Sequence, residues 1–190
     1  MLKKELRLSY LQLRNELSSE TISNYSLEIA NSLLDLPVWT YNYYHLFLSI
    51  TENNEIDTSF ILSILQGKDK NIVVPKVLEK TGLIHYLLTD STVLRKNKWN
   101  IPEPAEGLEV SPLKIDVVFI PLLAFDKQGY RVGYGKGFYD KFLKECREDV
   151  VKIGLSLFEP VDKISDIEKH DISMDYCVTP KKVYTCLLYT

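Results

Sequence analysis

A loop with three alternating glycines carries the residue types and spacing in this chain that are best suited to chemistry. Gly133, Gly135 and Gly137 lie in the run RVGYGKGFYD, which begins at Arg131 and ends at Asp140. A backbone without Cβ atoms can turn its N–H groups inward and approach an anion closely. The segment after Gly137 has helical periodicity, so a helix N-terminus would direct its positive dipole end at the same place. The spacing therefore predicts a phosphate-binding loop.

Charged side chains around this loop indicate a nucleotide with a metal ion. Arg131 and Lys136 add positive charge, whereas Asp140 in the first turn of the helix would repel phosphates. A Mg²⁺ ion between the carboxylate and the phosphates removes this conflict. The run matches neither GxxxxGK[ST] nor GxGxxG, because Phe138 stands where the latter needs glycine. The residues leave open an alternative, a tight turn in which Asp140 only favours the helix N-terminus.

Two helices are predicted at the start of the chain, and together they predict a helical hairpin over residues 1–36. In the first helix, a polar stripe at spacings of four, three and four residues contains Lys3, Arg7, Tyr10 and Arg14. The second helix is predicted from Glu20 to Leu36, with Ser18 or Ser19 as N-cap and Pro37 just beyond its end. A basic stripe of this kind, taken alone, is typical of a solvated helix face.

Apolar runs further along the chain predict an α/β fold. Strands are predicted at residues 43–50, 71–75, 83–88, 115–121, 151–157, 176–179 and 183–188. Helices are predicted at residues 57–66, ending at Gly67, and after Gly137. Runs without strict alternation are typical of a parallel sheet covered by helices on both faces, and the length favours one domain over residues 1–190. The proline-rich segment 94–112 is predicted to be a long connection without regular structure.

Composition argues against several classes of function. The formal charge of -3, from 23 basic and 26 acidic residues, provides no basic surplus for binding nucleic acid. We expect no membrane insertion, because no apolar run approaches about 20 residues, and we expect a cytoplasmic protein, because the start lacks the apolar stretch of a signal peptide. The three cysteines and three histidines show neither CxxC nor HxxxH spacing, which argues against a disulfide framework and against a zinc site.

The chain resembles the 5-formyltetrahydrofolate cyclo-ligase family. The densest match is PLLAFDKQGYRVGYGKGFYD at residues 121–140, which is similar to the family's run of proline, apolar residues, phenylalanine-aspartate, arginine and GxGxGxYYD, with Phe138 in place of the first tyrosine. Further matches follow in the family's order: the basic first helix, FLS at 47–49, EIDT at 55–58, WNIPEP at 99–104 and HD at 170–171. The resemblance implies a three-layer α/β/α sandwich with a mostly parallel central sheet.

The resemblance also implies an activity. This is the ATP- and Mg²⁺-dependent closure of 5-formyltetrahydrofolate to 5,10-methenyltetrahydrofolate, with release of ADP and phosphate, through a phosphorylated formyl group. The implied partners are ATP and 5-formyltetrahydrofolate, and a monomer is expected. Two alternatives stay open: a sugar-phosphate isomerase or CoA-transferase-like enzyme on a related fold, and a binder of folate or nucleotide without activity.

Roles for individual residues follow from the same resemblance. The residues implied in ATP binding are Lys3, Lys4, Arg7, Arg131, Gly133, Tyr134, Gly135, Lys136, Gly137, Phe138 and Tyr139. Those implied in folate binding are Leu48, Glu55, Trp99, Tyr134, Gly135, Lys136, Gly137 and Phe138. Asp140 and Asp171 are implied as Mg²⁺ ligands, and Lys136 and Arg131 as the catalytic cations. His170 is expected to orient Asp171 or to be structural, because the attacking nitrogen belongs to the substrate.

Overall fold

Helices and strands alternate along most of the chain in this computed structural model, which describes residues 1–78 and 82–186. The α-helices in this part are α1 Lys3–Asn15, α2 Ser19–Leu33, α3 Ser59–Gly67 and α4 Phe138–Glu145. The strands are β1 Tyr43–His45, β2 Asn71–Leu78, β3 Gly82–Leu87, β4 Leu94–Lys96, β5 Pro102–Pro104, β6 Val117–Pro121, β7 Ala124–Phe125, β8 Arg131–Val132, β9 Val151–Leu155, β10 Tyr176–Val178 and β11 Val183–Thr185. No helix of the described residues has the length and apolarity that crossing a bilayer requires.

Seven strands form the central sheet in the order β11-β10-β9-β6-β1-β2-β3. The five strands from β10 to β2 are parallel to their neighbours. The outer strands β11 and β3 pair antiparallel with β10 and β2. Two small antiparallel hairpins, β4–β5 and β7–β8, lie outside this sheet. The prediction of a mostly parallel central sheet is confirmed.

Side chains alternate between the two faces of the sheet and create a core on each. Ile72 and Val74 of β2 belong to the core that includes side chains of α2 and α3. Val73, between them, belongs to the core on the opposite face with Phe142 and Leu143 of α4. The result is three layers of helix, sheet and helix, which confirms the predicted α/β class.

The first two helices pack against different parts of the molecule. Leu6 of α1 is fully buried with Ala124, Val132 and Ile164, so α1 lies on the β7–β8 hairpin. In contrast, α2 begins where the Ser18 hydroxyl accepts the N–H of Thr21, and it packs on α3 and β10. Helix α1 is thereby placed beside the segment that leads into the glycine loop. The assignment of the whole chain to one domain stays a prediction.

The chain leaves the sheet earlier than the apolar run 43–50 predicts, because β1 ends at His45. Beyond it, the carboxylate of Glu55 accepts the N–H of Ile50 at 2.8 Å, and the hydroxyl of Ser49 donates to the carbonyl of Ile56 at 2.5 Å. These side chains draw residues 49–58 into a compact bend and so compete with sheet pairing. At the other end of the chain, residues 187 and 188 of the predicted strand 183–188 lie outside the described residues.

The segment 94–112 is more regular than predicted. Strands β4 and β5 form a hairpin within it, and a turn of 3₁₀ helix covers Pro112–Lys114. The side-chain oxygen of Asn97 accepts the N–H groups of Trp99 and Ile101, which shapes the turn between the strands. The carboxylate of Glu103 accepts the N–H of Val77, which fastens the hairpin to β2. The prediction of an irregular connection was wrong, because the side chains of Asn97 and Glu103 accept backbone N–H groups and hold the segment in a hairpin.

Candidate active site

The strand order places a cavity at the point where the sheet changes its direction of growth. From β1 the chain continues to β2 on one side, and from β6 it continues to β9 on the other. Ligands of open α/β sheets bind in the crevice outside the carboxyl ends of such strands. A cavity of about 650 Å³ lies there, lined by residues that follow β1 and by residues that follow β6. Its volume is within the range of roughly 300–1,000 Å³ typical of ligand sites.

Helix α1 brings positive charge to the glycine loop. The Nε of Arg7 donates to the carbonyl of Gly133 at 2.8 Å. At Gly135 the backbone has φ +88°, and a Cβ would lie 3.2 Å from the guanidinium carbon of Arg7. Glycine is therefore needed here both for the left-handed backbone and for the close approach of the arginine. The loop and α1 form one wall of the cavity.

The N-terminus of α4 completes this wall. Gly137 is its N-cap, with φ +67°, and residues 137–140 line the cavity. The N–H groups of a first helical turn have no partner within the helix, so an anion in the cavity would meet the positive end of α4. Lys136 is exposed and has no ion-pair partner among residues 1–78 and 82–186. Its ammonium is available to a bound anion.

Arg131 is held by protein groups at the cavity wall. Its Nη2 donates to Oδ1 of Asp140 at 2.8 Å, and its Nη1 donates to the carbonyl of Ile172 at 2.6 Å. The N–H of Ile172 donates to the same Oδ1 of Asp140 at 3.1 Å. Burial lowers the pKa of Arg131, while Asp140 and Asp171 oppose that change. Arg131 thus ties α4 to the segment that contains Asp171, with little of its side chain exposed.

Asp171 faces the cavity from that segment. Its Oδ2 accepts from the ammonium of Lys3 and from the N–H of Glu168. Burial alone would raise the pKa of Asp171, but these two donors outweigh it and the pKa is lowered. The N–H of Lys3 donates to Asp166, so the start of α1 is bound to the same segment. Asp171 is therefore an ionised carboxylate whose position depends on α1.

Asp140 and Asp171 are the pair that fits a magnesium ion. In the described part of the chain, no hydrogen-bond partner is found for Oδ2 of Asp140 or Oδ1 of Asp171. That same part holds no group of three or more side chains able to cage a metal. Mg²⁺ in nucleotide sites takes one or two carboxylates and completes its octahedron with phosphates and water. Two carboxylates in the lining fit a metal that arrives with a nucleotide.

The opposite side of the cavity contains a buried carboxylate. Glu55 is only 7% exposed. Its Oε1 accepts from the hydroxyl of Tyr134 at 2.5 Å and its Oε2 accepts from the N–H of Ile50 at 2.8 Å. Burial raises the pKa of Glu55, while Tyr134, the N–H of Ile50 and Arg14 oppose that change. Glu55 lines the cavity, so it offers its remaining lone pairs to donors of a ligand.

Apolar surface surrounds this carboxylate. Leu48 lines the cavity after β1, and Trp99 lines it from the turn of the β4–β5 hairpin. The indole of Trp99 is 41% exposed and is contacted by the Lys98 ammonium, 4.6 Å from the ring. A flat heteroaromatic ligand would find stacking surface at Trp99 and a hydrogen-bond acceptor at Glu55.

The structure gathers nearly all the residues predicted for the site. In the lining are Lys3, Arg7, Leu48, Glu55, Trp99, Arg131, Gly133, Tyr134, Gly135, Lys136, Gly137, Phe138, Tyr139, Asp140 and Asp171. Lys4 is exposed on α1 and does not line the cavity, so the geometry offers no support for its implied contact with ATP. His170 lies in the lining but pairs with Glu168 at 3.1 Å, and it makes no hydrogen bond to Asp171.

Other lining residues were given no role in the site from the sequence. They include Phe47, Ile50, Asn53, Pro75, Val77, Leu83, Asn100, Ile101 and Pro121. Pro75, Val77 and Leu83 belong to β2 and β3, where their apolar character indicates only a strand. Arg14, which contacts two of the site residues from behind, was detectable because it continues the polar stripe of Lys3 and Arg7.

Comparison with protein families places the geometry in context. The model of the 5-formyltetrahydrofolate cyclo-ligase family matches residues 1–180. The 5-formyltetrahydrofolate cyclo-ligase of Mus musculus is 31% identical, over 91% of this chain and 91% of its own length. The probable 5-formyltetrahydrofolate cyclo-ligase of Schizosaccharomyces pombe is 26% identical, over 95% of this chain and 96% of its own.

Solved structures agree. The 5,10-methenyltetrahydrofolate synthetase of Aquifex aeolicus has a TM-score of 0.82 and 30% identity, covering 100% of this chain and 95% of its own. The synthetase of the same name from Mycoplasma pneumoniae has a TM-score of 0.75 and 28% identity, with 95% of this chain and 99% of its own covered. The likeness extends over the whole fold and includes the segments that form the cavity.

Proposed function

We propose that this chain, which belongs to the 5-formyltetrahydrofolate cyclo-ligase family, binds ATP and its folate side by side in the cavity and couples their reactions there. Membership makes the chain a ligase that converts 5-formyltetrahydrofolate to 5,10-methenyltetrahydrofolate. The use of ATP, the part played by Mg²⁺ and the intermediate are the proposal. Its support is the arrangement of charge and apolar surface around the cavity.

The reaction needs activation of a poor leaving group. The 5-formyl group is an amide, and its oxygen cannot leave readily when the neighbouring N10 attacks. In the proposed sequence the formyl oxygen attacks the γ-phosphorus of ATP and ADP departs. N10 then bonds to the formyl carbon and releases its proton to water, and the C–O bond breaks to free phosphate. The positive charge left on the product is shared by N5, the bridging carbon and N10.

The chain's contribution to phosphoryl transfer is position and charge. Arg7, Lys136 and the first-turn N–H groups of α4 would bind the phosphates, since all of them line one wall. Lys136 is the cation best placed for the transferred group, because it is exposed in the loop. Arg131 would act through Asp140 and Ile172, which it holds in place. No protein nucleophile takes part in this sequence.

Asp140 and Asp171 would hold the magnesium ion. When bound, Mg²⁺ supplies charge neutralisation for the phosphates of the nucleotide. Lys3 already pairs with Asp171, and Arg131 pairs with Asp140, so each carboxylate has a cation beside it. These ion pairs would offset the negative charge of Asp140 and Asp171, so that the two carboxylates could lie beside a cavity that binds an anion.

The folate would occupy the side of Glu55, Leu48 and Trp99. A pterin ring has adjacent N–H donors on one edge, which a carboxylate can accept as a pair. Stacking on Trp99 and contact with Leu48 would fix its plane. The observation that carries the proposal is that this acceptor and the glycine loop face each other across the same cavity, with Tyr134 belonging to both walls.

The deciding assay incubates purified protein with MgATP and 5-formyltetrahydrofolate and follows methenyl absorbance together with ADP. We expect both products in equal amounts. Absence of turnover in folded protein would refute the proposal. Methenyl formation without ADP would refute only the proposed role of ATP.

Asp140→Asn tests the metal site. We expect a fall in turnover of roughly tenfold or more, partly restored by excess Mg²⁺, because one of two carboxylate ligands loses its charge. Asp162→Asn is the matched control, since Asp162 pairs with Lys127 on the surface and does not line the cavity. A Mg²⁺ dependence equal to that of the parent would remove Asp140 from the metal site.

Lys3→Ala combined with Arg7→Ala tests the contribution of α1. We expect a raised KM for ATP, because the two cations line the phosphate side of the cavity. Lys144→Ala, which removes an exposed lysine at the far end of α4, is the control. An unchanged KM in the double variant would remove Lys3 and Arg7 from the ATP site. A cytoplasmic location and a monomeric state stay predictions.

A further inference from the structure

Arg14 is a buried cation that lies behind the cavity and does not line it. It is in the last turn of α1 and is only 5% exposed. Its Nη1 donates to the hydroxyl of Tyr134 at 2.7 Å, and its Nη2 donates to the carbonyl of Leu122 at 2.8 Å. Its Nε is buried without a hydrogen-bond partner among the described residues. A side chain this costly to bury, with part of its polar group unpaired, calls for a functional reason.

The contacts of Arg14 lead directly to the folate side of the cavity. The hydroxyl of Tyr134 accepts from Arg14 and donates to Oε1 of Glu55 at 2.5 Å. The guanidinium also lies 4.0 Å from that same oxygen. Guanidinium, phenol and carboxylate thus form a chain in which each hydrogen bond polarises the next. Helix α1, the glycine loop and the segment after β1 each contribute one member.

The contacts from Arg14 through Tyr134 to Glu55 compensate the charge of a buried carboxylate. An ionised carboxylate as buried as Glu55 needs a compensating cation, because isolated burial favours its neutral form. A protonated carboxyl group would present a donor where a ligand's N–H groups need an acceptor. Burial does raise the pKa of Glu55, and Arg14 and Tyr134 are among the groups that oppose this. Other charged groups near the carboxylate, on the glycine loop and α1, are Lys136 and Arg7, which line the same cavity.

We propose that Arg14 is a positioning residue for folate: through Tyr134 it fixes the orientation of the Glu55 carboxylate and keeps it an acceptor for the N–H edge of the pterin. This inference rests on the proposed function, since it takes the folate to occupy the Glu55 side. Arg14 does not line the cavity, so it would contact neither substrate. It acts on the folate because two of the three contacts that hold Glu55 and Tyr134 together originate from its guanidinium.

The test compares steady-state constants for both substrates in Arg14→Met. We expect KM for 5-formyltetrahydrofolate to rise by roughly tenfold, the effect of losing a hydrogen bond to a charged group. The KM for ATP should change by less than about twofold, because the phosphate wall does not include Arg14. Arg14→Lys should recover part of the loss, since an ammonium can reach one partner but cannot bridge two. Equal rises in both KM values would refute the positioning role.

Three further variants separate this role from general stability. Tyr134→Phe keeps the ring but removes the bridging hydroxyl, and it provides the measurement if Arg14→Met fails to fold. The variant that combines Arg14→Met with Tyr134→Phe should bind folate as tightly as whichever single variant has the lower folate affinity. The reason is that both substitutions break the same series of contacts. Strictly additive losses would refute the inference. Arg147→Met removes an arginine that pairs with Asp116, away from the cavity, and should leave the folate KM unchanged.

Measurements on the parent protein and these variants distinguish failure of the proposed function from failure of the Arg14 inference. If the parent protein binds 5-formyltetrahydrofolate in calorimetry but does not turn over with MgATP, the proposed coupling fails while the Arg14 inference is still decided by the folate Kd values. An unchanged Kd in Arg14→Met and Tyr134→Phe would then overturn it. If the parent turns over both substrates and these variants match its folate KM, only the Arg14 inference is lost.

Discussion

Two buried histidines between the sheet and α4 predict that the fold loses stability in mild acid. His45 is 0% exposed and His85 is 2% exposed, with ring centroids 5.1 Å apart. Phe142 of α4 lies 4.6 Å from the first ring and 4.1 Å from the second. In the described residues, none of the four ring nitrogens has a hydrogen-bond partner. Nothing nearby is placed to stabilise an imidazolium ion.

The size of the stability loss in acid can be worked out from the pKa of His85. Burial lowers its pKa from 6.5 to about 4. In the unfolded chain the imidazole has its ordinary pKa, so between these two values the unfolded state binds more protons than the folded state. Stability contributed by neutral His85 is therefore complete above pH 6.5 and is lost as the pH falls towards 4. The full difference is roughly 3 kcal/mol, at about 1.4 kcal/mol for each pH unit.

His85→Phe is the perturbation that isolates this effect. The variant keeps a ring beside Phe142 and removes a group that gains a proton only on unfolding. At neutral pH, removal of two unpaired nitrogens favours the variant and the larger ring opposes it. The prediction therefore concerns how the free energy of unfolding changes with pH. As the pH falls from 7 to 4, the variant should gain roughly 3 kcal/mol of unfolding free energy relative to the parent. Burial and His85 both lower the pKa of His45, so part of the acid sensitivity should remain in the variant.

Urea denaturation followed by tryptophan fluorescence, at unit steps of pH, measures that difference. The m-value must stay constant for the comparison to hold. His170→Phe is the matched control, because His170 is exposed and its ring pairs with Glu168 outside the core. Parallel stability curves for His85→Phe and the parent would refute the reasoning, since they would mean that His85 takes up a proton without cost in the folded state.

Gly154→Ala should lower the free energy of unfolding by roughly 1–3 kcal/mol in the same denaturation assay, because a Cβ would lie 2.3 Å from Sδ of Met174; an unchanged midpoint would contradict this. Gly67→Ala, with nothing within 4 Å, should not be destabilised. Asp126→Asn should lose roughly 1–3 kcal/mol, because the fully buried carboxylate accepts three backbone N–H groups, including that of Ile164. Hydrogen exchange at that amide should quicken, and protection equal to the parent's would count against the prediction.

The sequence by itself determined the features that depend on neighbours along the chain. Apolar periodicity and caps predict α1 to α4, because the period of a helix or strand is a property of consecutive residues. The alternating glycines and Asp140 predict an anion-binding turn followed by a helix; the structure has the turn and the helix, and anion binding stays a prediction. The interleaving of apolar runs with helices predicts a mostly parallel sheet between helical layers. These inferences need no knowledge of distant contacts.

Tertiary structure decided which charges are available to a ligand. Arg131 and Lys136 look alike in the sequence, yet Arg131 is bound by Asp140 and by the carbonyl of Ile172 while Lys136 is exposed. The partner carbonyl is 41 residues away from Arg131. No local pattern encodes such a pairing, because it depends on how β8, α4 and the segment before β10 are packed.

The same limit applies to the strand ends and to the network behind the folate side. Strand β1 stops at His45, and the side chains of Ser49 and Glu55 bind backbone groups of the bend that follows, which the apolar run 43–50 does not reveal. Arg14, Glu55 and Tyr134 come from three segments, 120 residues apart at the extremes. Their contact exists only once α1 lies on the β7–β8 hairpin. The sequence determined the elements and their chemistry, and the packing of the sheet determined which side chains meet, because charge pairing and burial depend on distance in space.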